Sequence, residues 1–318
     1  MNQSQRSQRS LQARHSKSEK RTGVAGQSVP VTALQQMHDV KPGQSIALLK
    51  ALHILTRDGA MNQDSRRKLK QVNHLVQFIV PLLEEILLHQ PALTLVDHGA
   101  GKSYLGFLLY DLFFKARSDA SHIYGIETRA ELVAQSERLA AELAFQRMSF
   151  LHLSVAESAD SDHLPATVDV VTALHACDTA TDDAIRFALE KRARAIVLVP
   201  CCQAEVAAIL KRNKANQPLR SPLAEIWRHP LHTREFGSQI TNVLRCLQLE
   251  AHGYQVSVTE LVGWEHSMKN ELIIATYRNL PRARAAQRLQ EVLATVGLED
   301  MAQRFFVTAI EMAGIEVT

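Results

Sequence analysis

Apolar residues between Val31 and Leu88 recur at the three- and four-residue steps of helices that bury one face. Ile46, Leu48, Leu49, Leu52 and Leu55 form one stripe, which stops at the turn pair Asp58-Gly59. Leu69, Val72, Leu75, Val76, Ile79, Leu82, Leu83 and Ile86 form a longer one. Pro91 closes this region, because the residue before a proline resists the α conformation. Beyond it, short apolar runs alternate with helical stretches. Strands are predicted over Leu93–Val96, His122–Ile126, Met148–Leu153, Val168–Leu174 and Ala195–Val199. Helices are predicted over Tyr104–Phe114, Ala130–Phe145, Asp182–Lys191 and Gln203–Arg212. That alternation specifies an α/β fold with a parallel, doubly wound sheet.

The alternation then breaks. Ser238–His252 reads as a helix closed by Gly253, and Tyr254–Leu261 and Glu271–Tyr277 read as strands with no helix between them. Two strands joined by a loop of nine residues imply an antiparallel pair at the sheet edge. Helical spacing returns over 282–318, with Leu289, Val292, Leu293 and Val296 on one face. The chain therefore divides into a basic arm expected to be disordered (1–30), a helical region (31–91), an α/β domain (92–279) and a C-terminal helical extension (280–318).

The charge distribution adds one feature to this picture. A formal charge of +3 hides an arm in which Arg6, Arg9, Arg14, Lys17, Lys20 and Arg21 face Glu19 alone. Such a Ser/Gln-rich segment cannot bury enough surface to fold by itself. It reads either as a solvated tail or as a phosphate-binding arm, with RNA as the partner that would use it. Arg66, Arg67, Lys68 and Lys70 give the second helix a basic start that faces solvent or a phosphate backbone. No apolar stretch is long enough to span a membrane, since even Leu82–Leu88 carries Glu84 and Glu85, and no signal peptide is visible. Four cysteines without a paired framework suit a reducing cytosol, and a cytoplasmic location is expected.

The chemistry starts at Asp97-His98-Gly99-Ala100-Gly101-Lys102, which follows a strand and precedes a helix. Glycine is needed where backbone turns sharply against a ligand. Gly101-Lys102-Ser103 hints at a phosphate loop, but its first glycine would fall on Val96, inside the strand. A dinucleotide fingerprint would place its last glycine on Tyr104, and Asp97 sits badly beside a pyrophosphate. An S-adenosylmethionine loop suits the residues better, because that ligand has no phosphate and carries a cationic amino group. Glu127 ends the next strand, thirty residues on, where a carboxylate can accept from both ribose hydroxyls. Its bland alternative is to open the following helix.

Asp-x-Gly-x-Gly, the acid on the second strand and the closing antiparallel pair resemble the class I S-adenosylmethionine-dependent methyltransferases over residues 93–278. The resemblance implies a seven-stranded Rossmann-like sheet in the order 3-2-1-4-5-7-6. It implies cofactor contacts at Asp97, Gly99, Ala100, Gly101, Lys102 and Glu127, at Ser154 and Val155 beyond the third strand, and at Leu174 ending the fourth. Ser103 departs from the pattern by standing where a third glycine is common. More narrowly, Gly-Ala-Gly-Lys, Ala-Leu-His-Ala-Cys-Asp, Pro-Cys-Cys-Gln and Lys-Asn-Glu-Leu-Ile resemble a branch with a Pro-Cys-Cys motif after strand five, some distant members of which act on RNA.

In that topology the fourth and fifth strands are neighbours, so His175, Cys177, Asp178, Cys201 and Cys202 should line one crevice. His175, Asp178, Cys201 and Cys202 are the catalytic candidates. His175 offers a general base, and Asp178 either orients it, binds a substrate amine or caps the helix that begins near Thr179. A zinc site lacks supporting spacing, a covalent adduct needs an activated thiolate, and the preferred reading makes the cysteine pair a small apolar pocket wall; no metal is expected. Trp264 and His266 lie in the loop between the last two strands, where they either stack on a base or pack locally. The reading is a methyltransferase acting on RNA. The alternatives are a small-molecule or protein methyltransferase, and a binding protein without turnover. The oligomeric state is left open.

Overall fold

The structure, a computed structural model, describes residues 40–174, 178–200, 204–216, 225–226, 228–261 and 271–305. Among them seven strands form one sheet in the order β3-β2-β1-β4-β5-β7-β6. The strands are β1 (Thr94–His98), β2 (His122–Glu127), β3 (Met148–His152), β4 (Val170–Leu174), β5 (Ala195–Val199), β6 (Tyr254–Glu260) and β7 (Glu271–Tyr277). The first five are parallel, and β7 runs antiparallel to both β5 and β6. This is the methyltransferase order expected above, with the antiparallel pair at the predicted edge. Continuous apolar runs make β4 and β5 the buried centre, as a strand covered on both faces requires.

The helices are α1 (Ile46–Ala51), α2 (Gln63–Leu87), α3 (Tyr104–Leu109), α4 (Ala130–Glu142), α5 (Val155–Ala159), α6 (Thr179–Glu190), α7 (Glu205–Asn216), α8 (Pro230–Ala251), α9 (Ala283–Val296) and α10 (Ala302–Phe305). Three details differ from the periodicity. The first apolar stripe is helical only over Ile46–Ala51, and Leu52, Ile54 and Leu55 are buried in an irregular turn instead. The helix predicted over Tyr104–Phe114 widens into a π-turn at Tyr110–Phe114, closed by the Lys115 N–H donating to the Tyr110 carbonyl at 2.7 Å. That turn lets Tyr110 stack on Phe145 with centroids 4.3 Å apart. A short helix, α5, also stands where periodicity placed none; Ser154 and Glu157 start it with a reciprocal capping box.

The N-terminal helices share a core with the sheet, whereas the C-terminal helices pack on α7 and α8 in a cluster of their own. Leu48, Leu49, Leu75, Ile79 and Leu83 of α1 and α2 bury against Leu95, Phe107 and Leu108. The Ser45 N–H donates to Asp111 Oδ2 at 2.6 Å, which fastens the start of α1 to the π-turn. At the other end, Leu289, Leu293 and Phe305 pack against Val206, Leu210 and Leu244 of α7 and α8. No described helix is long and apolar enough to cross a membrane.

Candidate functional site

The loop after β1 turns through two glycines of positive φ, Gly99 at 64° and Gly101 at 58°. Ser103 also adopts the left-handed conformation, with φ 53° and ψ 36°. The residue that departs from the family pattern thus takes up the backbone shape a glycine would give there, at a steric cost glycine would not carry. Two hydrogen bonds close the turn: the Ser103 N–H to the Ala100 carbonyl at 2.7 Å, and the Ala100 N–H to the Ile126 carbonyl at 3.0 Å. The second ties the loop to β2. Lys102 is exposed.

The two acids lie at adjacent strand ends. Asp97 is only 2% exposed, and its Oδ1 accepts from the Thr172 hydroxyl at 2.7 Å across the β1–β4 register. Burial pushes its carboxyl up to about 7, against a smaller lowering by the threonine hydroxyl. A carboxylate held this way gains from a nearby cation. Glu127 is also buried, and its Oε2 accepts from the Gly101 N–H at 2.7 Å. Its Oε1 accepts from the Arg129 N–H at 3.1 Å and from Arg129 Nε at 2.9 Å. Burial raises the Glu127 carboxyl, but the bonds from Arg129 and Gly101 outweigh it and hold the group below the usual range. A Cβ added at Gly101 would stand 3.8 Å from Arg129 Nη2 and 4.0 Å from Glu127 Oε2, so the glycine keeps this corner open. A buried acid beside a second, ionised acid suits a ligand that carries a cationic group and vicinal hydroxyls. S-adenosylmethionine carries both, and the residues fit it.

Ser154 and Val155 follow β3. The Ser154 hydroxyl accepts from the Glu157 N–H at 3.2 Å, so its side chain is already used in starting α5. Leu174 ends β4 and pairs in register with Val199, the last residue of β5. His175, Cys177, Cys201 and Cys202 lie outside the described residues, as do Trp264, His266 and residues 1–39.

Asp178 requires a correction. It sits at the N-cap position of α6, but its carboxylate does not cap that helix. Oδ1 accepts instead from the N–H groups of Ala204, at 3.2 Å, and Glu205, at 3.4 Å, at the start of α7. The physical reason is its backbone, whose φ of 52° and ψ of −119° turn the side chain away from the α6 amides and across to the segment after β5. Its carbonyl accepts from Arg245 Nη2 at 2.8 Å.

Arg245 itself was not legible in the sequence. It is fully buried on α8, and its Nε donates to Asp182 Oδ1 at 2.6 Å. Arg304 of α10 bonds the other oxygen of Asp182 at 3.4 Å and Glu205 at 2.8 Å. Asn242 donates to Glu271, the first residue of β7, at 2.5 Å. These bonds lock the segments leaving β4 and β5 to the start of β7 and to the C-terminal extension. His98, inside the loop motif, is fully buried edge-on to Phe187 with centroids 4.5 Å apart, and neither ring nitrogen has a described partner. Burial takes it down to about 3, so the ring is neutral.

The strand order is that of a Rossmann-like methyltransferase sheet, and the acid-bearing glycine loop lies at the ends of β1 and β2. Residues 67–209, less than half of the chain, match the family described as "Methyltransferase domain". Among curated proteins, the chain is 23% identical over 236 residues to the glutathione S-transferase C-terminal domain-containing protein of Bos taurus, covering 69% of this chain and 34% of that protein. A homolog from Drosophila pseudoobscura pseudoobscura is 23% identical over 235 residues, covering 66% and 36%. The chain therefore spans about a third of the length of these relatives. Among solved structures, magnesium protoporphyrin IX methyltransferase from Synechocystis PCC 6803 with bound SAH is similar at 17% identity and a TM-score of 0.42, covering 77% of this chain and 99% of that one.

Proposed function

We propose that this chain is an S-adenosylmethionine-dependent methyltransferase whose acceptor is RNA. The observation that carries the cofactor reading is the pairing of a buried Asp97 with a Glu127 that accepts from the Gly101 N–H. In this reading Asp97 receives the ligand's amino group, Glu127 receives its ribose hydroxyls, and Gly99 and Gly101 allow the backbone to approach it closely. The bound sulfonium supplies an already activated methyl group, so the protein's part is alignment and exclusion of water. Asp178 and Arg245 hold the acceptor side of the crevice by fixing the segments that follow β4 and β5. His175, Cys201 and Cys202 stay as the groups that would meet the acceptor. The RNA reading rests on the charge of the arm at 1–22 and on the basic start of α2.

The test is to incubate the protein and a tritiated methyl donor with extract from a strain lacking it, then to separate RNA, protein and small molecules. Label is expected in RNA. Label confined to the protein or small-molecule fraction would replace the acceptor while leaving the cofactor reading in place. Deleting residues 1–30 should weaken RNA binding at low salt, and unchanged binding would remove the arm from the account.

A further inference from the structure

The basic start of α2 borders a built cavity. A space of about 450 Å³ lies between α1 and the beginning of α2, lined by Lys50, His53, Thr56, Arg57, Asn62 and Ser65, with the buried Ile54 and Leu55 against it. The Asn62 Oδ1 accepts from the Ser65 N–H at 2.7 Å, which leaves its amide N–H₂ to donate. No carboxylate lines the cavity. Residues 50–70 carry six lysines and arginines against Asp58 and Asp64, and Asp64 is paired with Lys68 at 3.0 Å. Lys50, Arg57 and Arg67 form no ion pair with another described residue. The Ser65 hydroxyl is spent on the His53 carbonyl at 3.3 Å, so Lys50, Arg57 and the Asn62 amide are the donors that give the lining its surplus positive charge and its fit to an anion.

Its position matters as much as its charge. Tyr104, the first residue of α3 directly after the glycine loop, donates its hydroxyl to the Leu52 carbonyl at 2.8 Å. Leu52 lies between the lining residues Lys50 and His53. On α2, His74 is bonded to the Leu261 carbonyl, just past the end of β6. Since β6 runs parallel to β5, that end shares the sheet edge where β1 and β4 finish. The cationic cavity thus belongs to the edge that carries Asp97 and Glu127. Another arginine-lined space, of about 340 Å³ with Arg192 and Arg282, lies at the opposite edge, by the start of β6 and the end of β7.

We propose that this cavity and the basic start of α2 form the phosphate dock of a nucleic-acid acceptor, holding its backbone beside the methyl-donor loop. The assignment rests on the methyltransferase reading above and adds where the acceptor binds. A nucleic acid brings a phosphate at every residue, which matches cations spread over the cavity and the first turns of α2 better than a single anion would.

The experiment follows the anisotropy of a fluorescein-labelled 20-nucleotide single-stranded RNA, titrated with the full chain at several KCl concentrations. The variant Lys50→Ala/Arg57→Ala/Arg67→Ala should bind at least tenfold more weakly at low salt. Its slope of log K against log[salt] should flatten by about 2, the value for three lost phosphate contacts on a single strand. Arg192→Ala/Arg282→Ala should bind RNA as wild type does, and the triple variant should bind SAH as wild type does. Unchanged affinity and slope in the triple variant would overturn the dock, as would an equal loss in the opposite-edge pair. Wild type that binds SAH but not RNA would also overturn it, leaving the cofactor reading intact; wild type that fails to bind SAH would overturn that reading and this one together. Competition by polyglutamate as effective as by unlabelled RNA would assign the cavity to an acidic polypeptide instead.

Discussion

A carboxylate that is 2% exposed and bonded to a threonine hydroxyl pays for its charge in lost hydration. Burial takes the Asp97 carboxyl up to about 7, from an ordinary value near 3.9 in the unfolded chain. The folded state therefore holds its proton more tightly. The stability it contributes is complete below about pH 4 and is lost as pH rises through 7. Asp97→Asn keeps an acceptor for Thr172 and removes the titration. Its urea midpoint is expected above wild type at pH 8, with the gap shrinking to nothing near pH 4; a gap independent of pH would contradict this account. The same residue shows what the sequence carried. Asp97 and Glu127 were legible from their places after two strands, whereas Thr172, inside the predicted strand Val168–Leu174, was not picked out as the partner of Asp97. Arg129 carried no mark either, because an arginine near a helix start is ordinary surface until its geometry is known.

Elements were legible where one periodicity ruled, and less so where packing overrode it. The strands emerged within a few residues because their apolar runs are short and bounded. Helix α8 was placed from Ser238 but begins at Pro230, and it reverses the expected polarity locally: Arg245 is fully buried while Val243 is 45% exposed. No hydrophobic pattern announces a buried Arg–Asp pair, whose partner Asp182 is 63 residues away. The junction between the glycine loop and α3 gives a sharper test of local fit. A Cβ at Gly106 would stand 2.7 Å from Ser103 Oγ, itself buried without a described partner. Gly106→Ala should destabilise the protein by about 1–3 kcal/mol through this overpacking. Ser103→Gly/Gly106→Ala should recover most of that loss, because the clashing hydroxyl is gone and alanine favours the helix. Denaturation of the four forms gives the coupling between the sites; additive effects would mean that the contact is not what holds the glycine there.

At the scale of the whole molecule, the sheet and its loop carry the proposed donor site, and the additions at both ends shape what lies beside it. Helices α1 and α2 share the central core and set a cationic cavity next to the loop. The C-terminal extension reaches the other side through Arg304, which bonds Asp182 and Glu205. These joints were not legible in the chain, since each depends on side chains brought together by the sheet order. The candidate His175, Cys201 and Cys202 still stand on sequence alone, because they lie outside the described residues. Calorimetric titration with S-adenosylhomocysteine tests the proposed donor site most directly. Wild type is expected to bind one equivalent, and Asp97→Ala/Glu127→Ala is expected to bind at least about a hundredfold more weakly, given about 1.5–3 kcal/mol for each charged hydrogen-bonding group. No binding by the wild type, or equal binding by the variant, would contradict it.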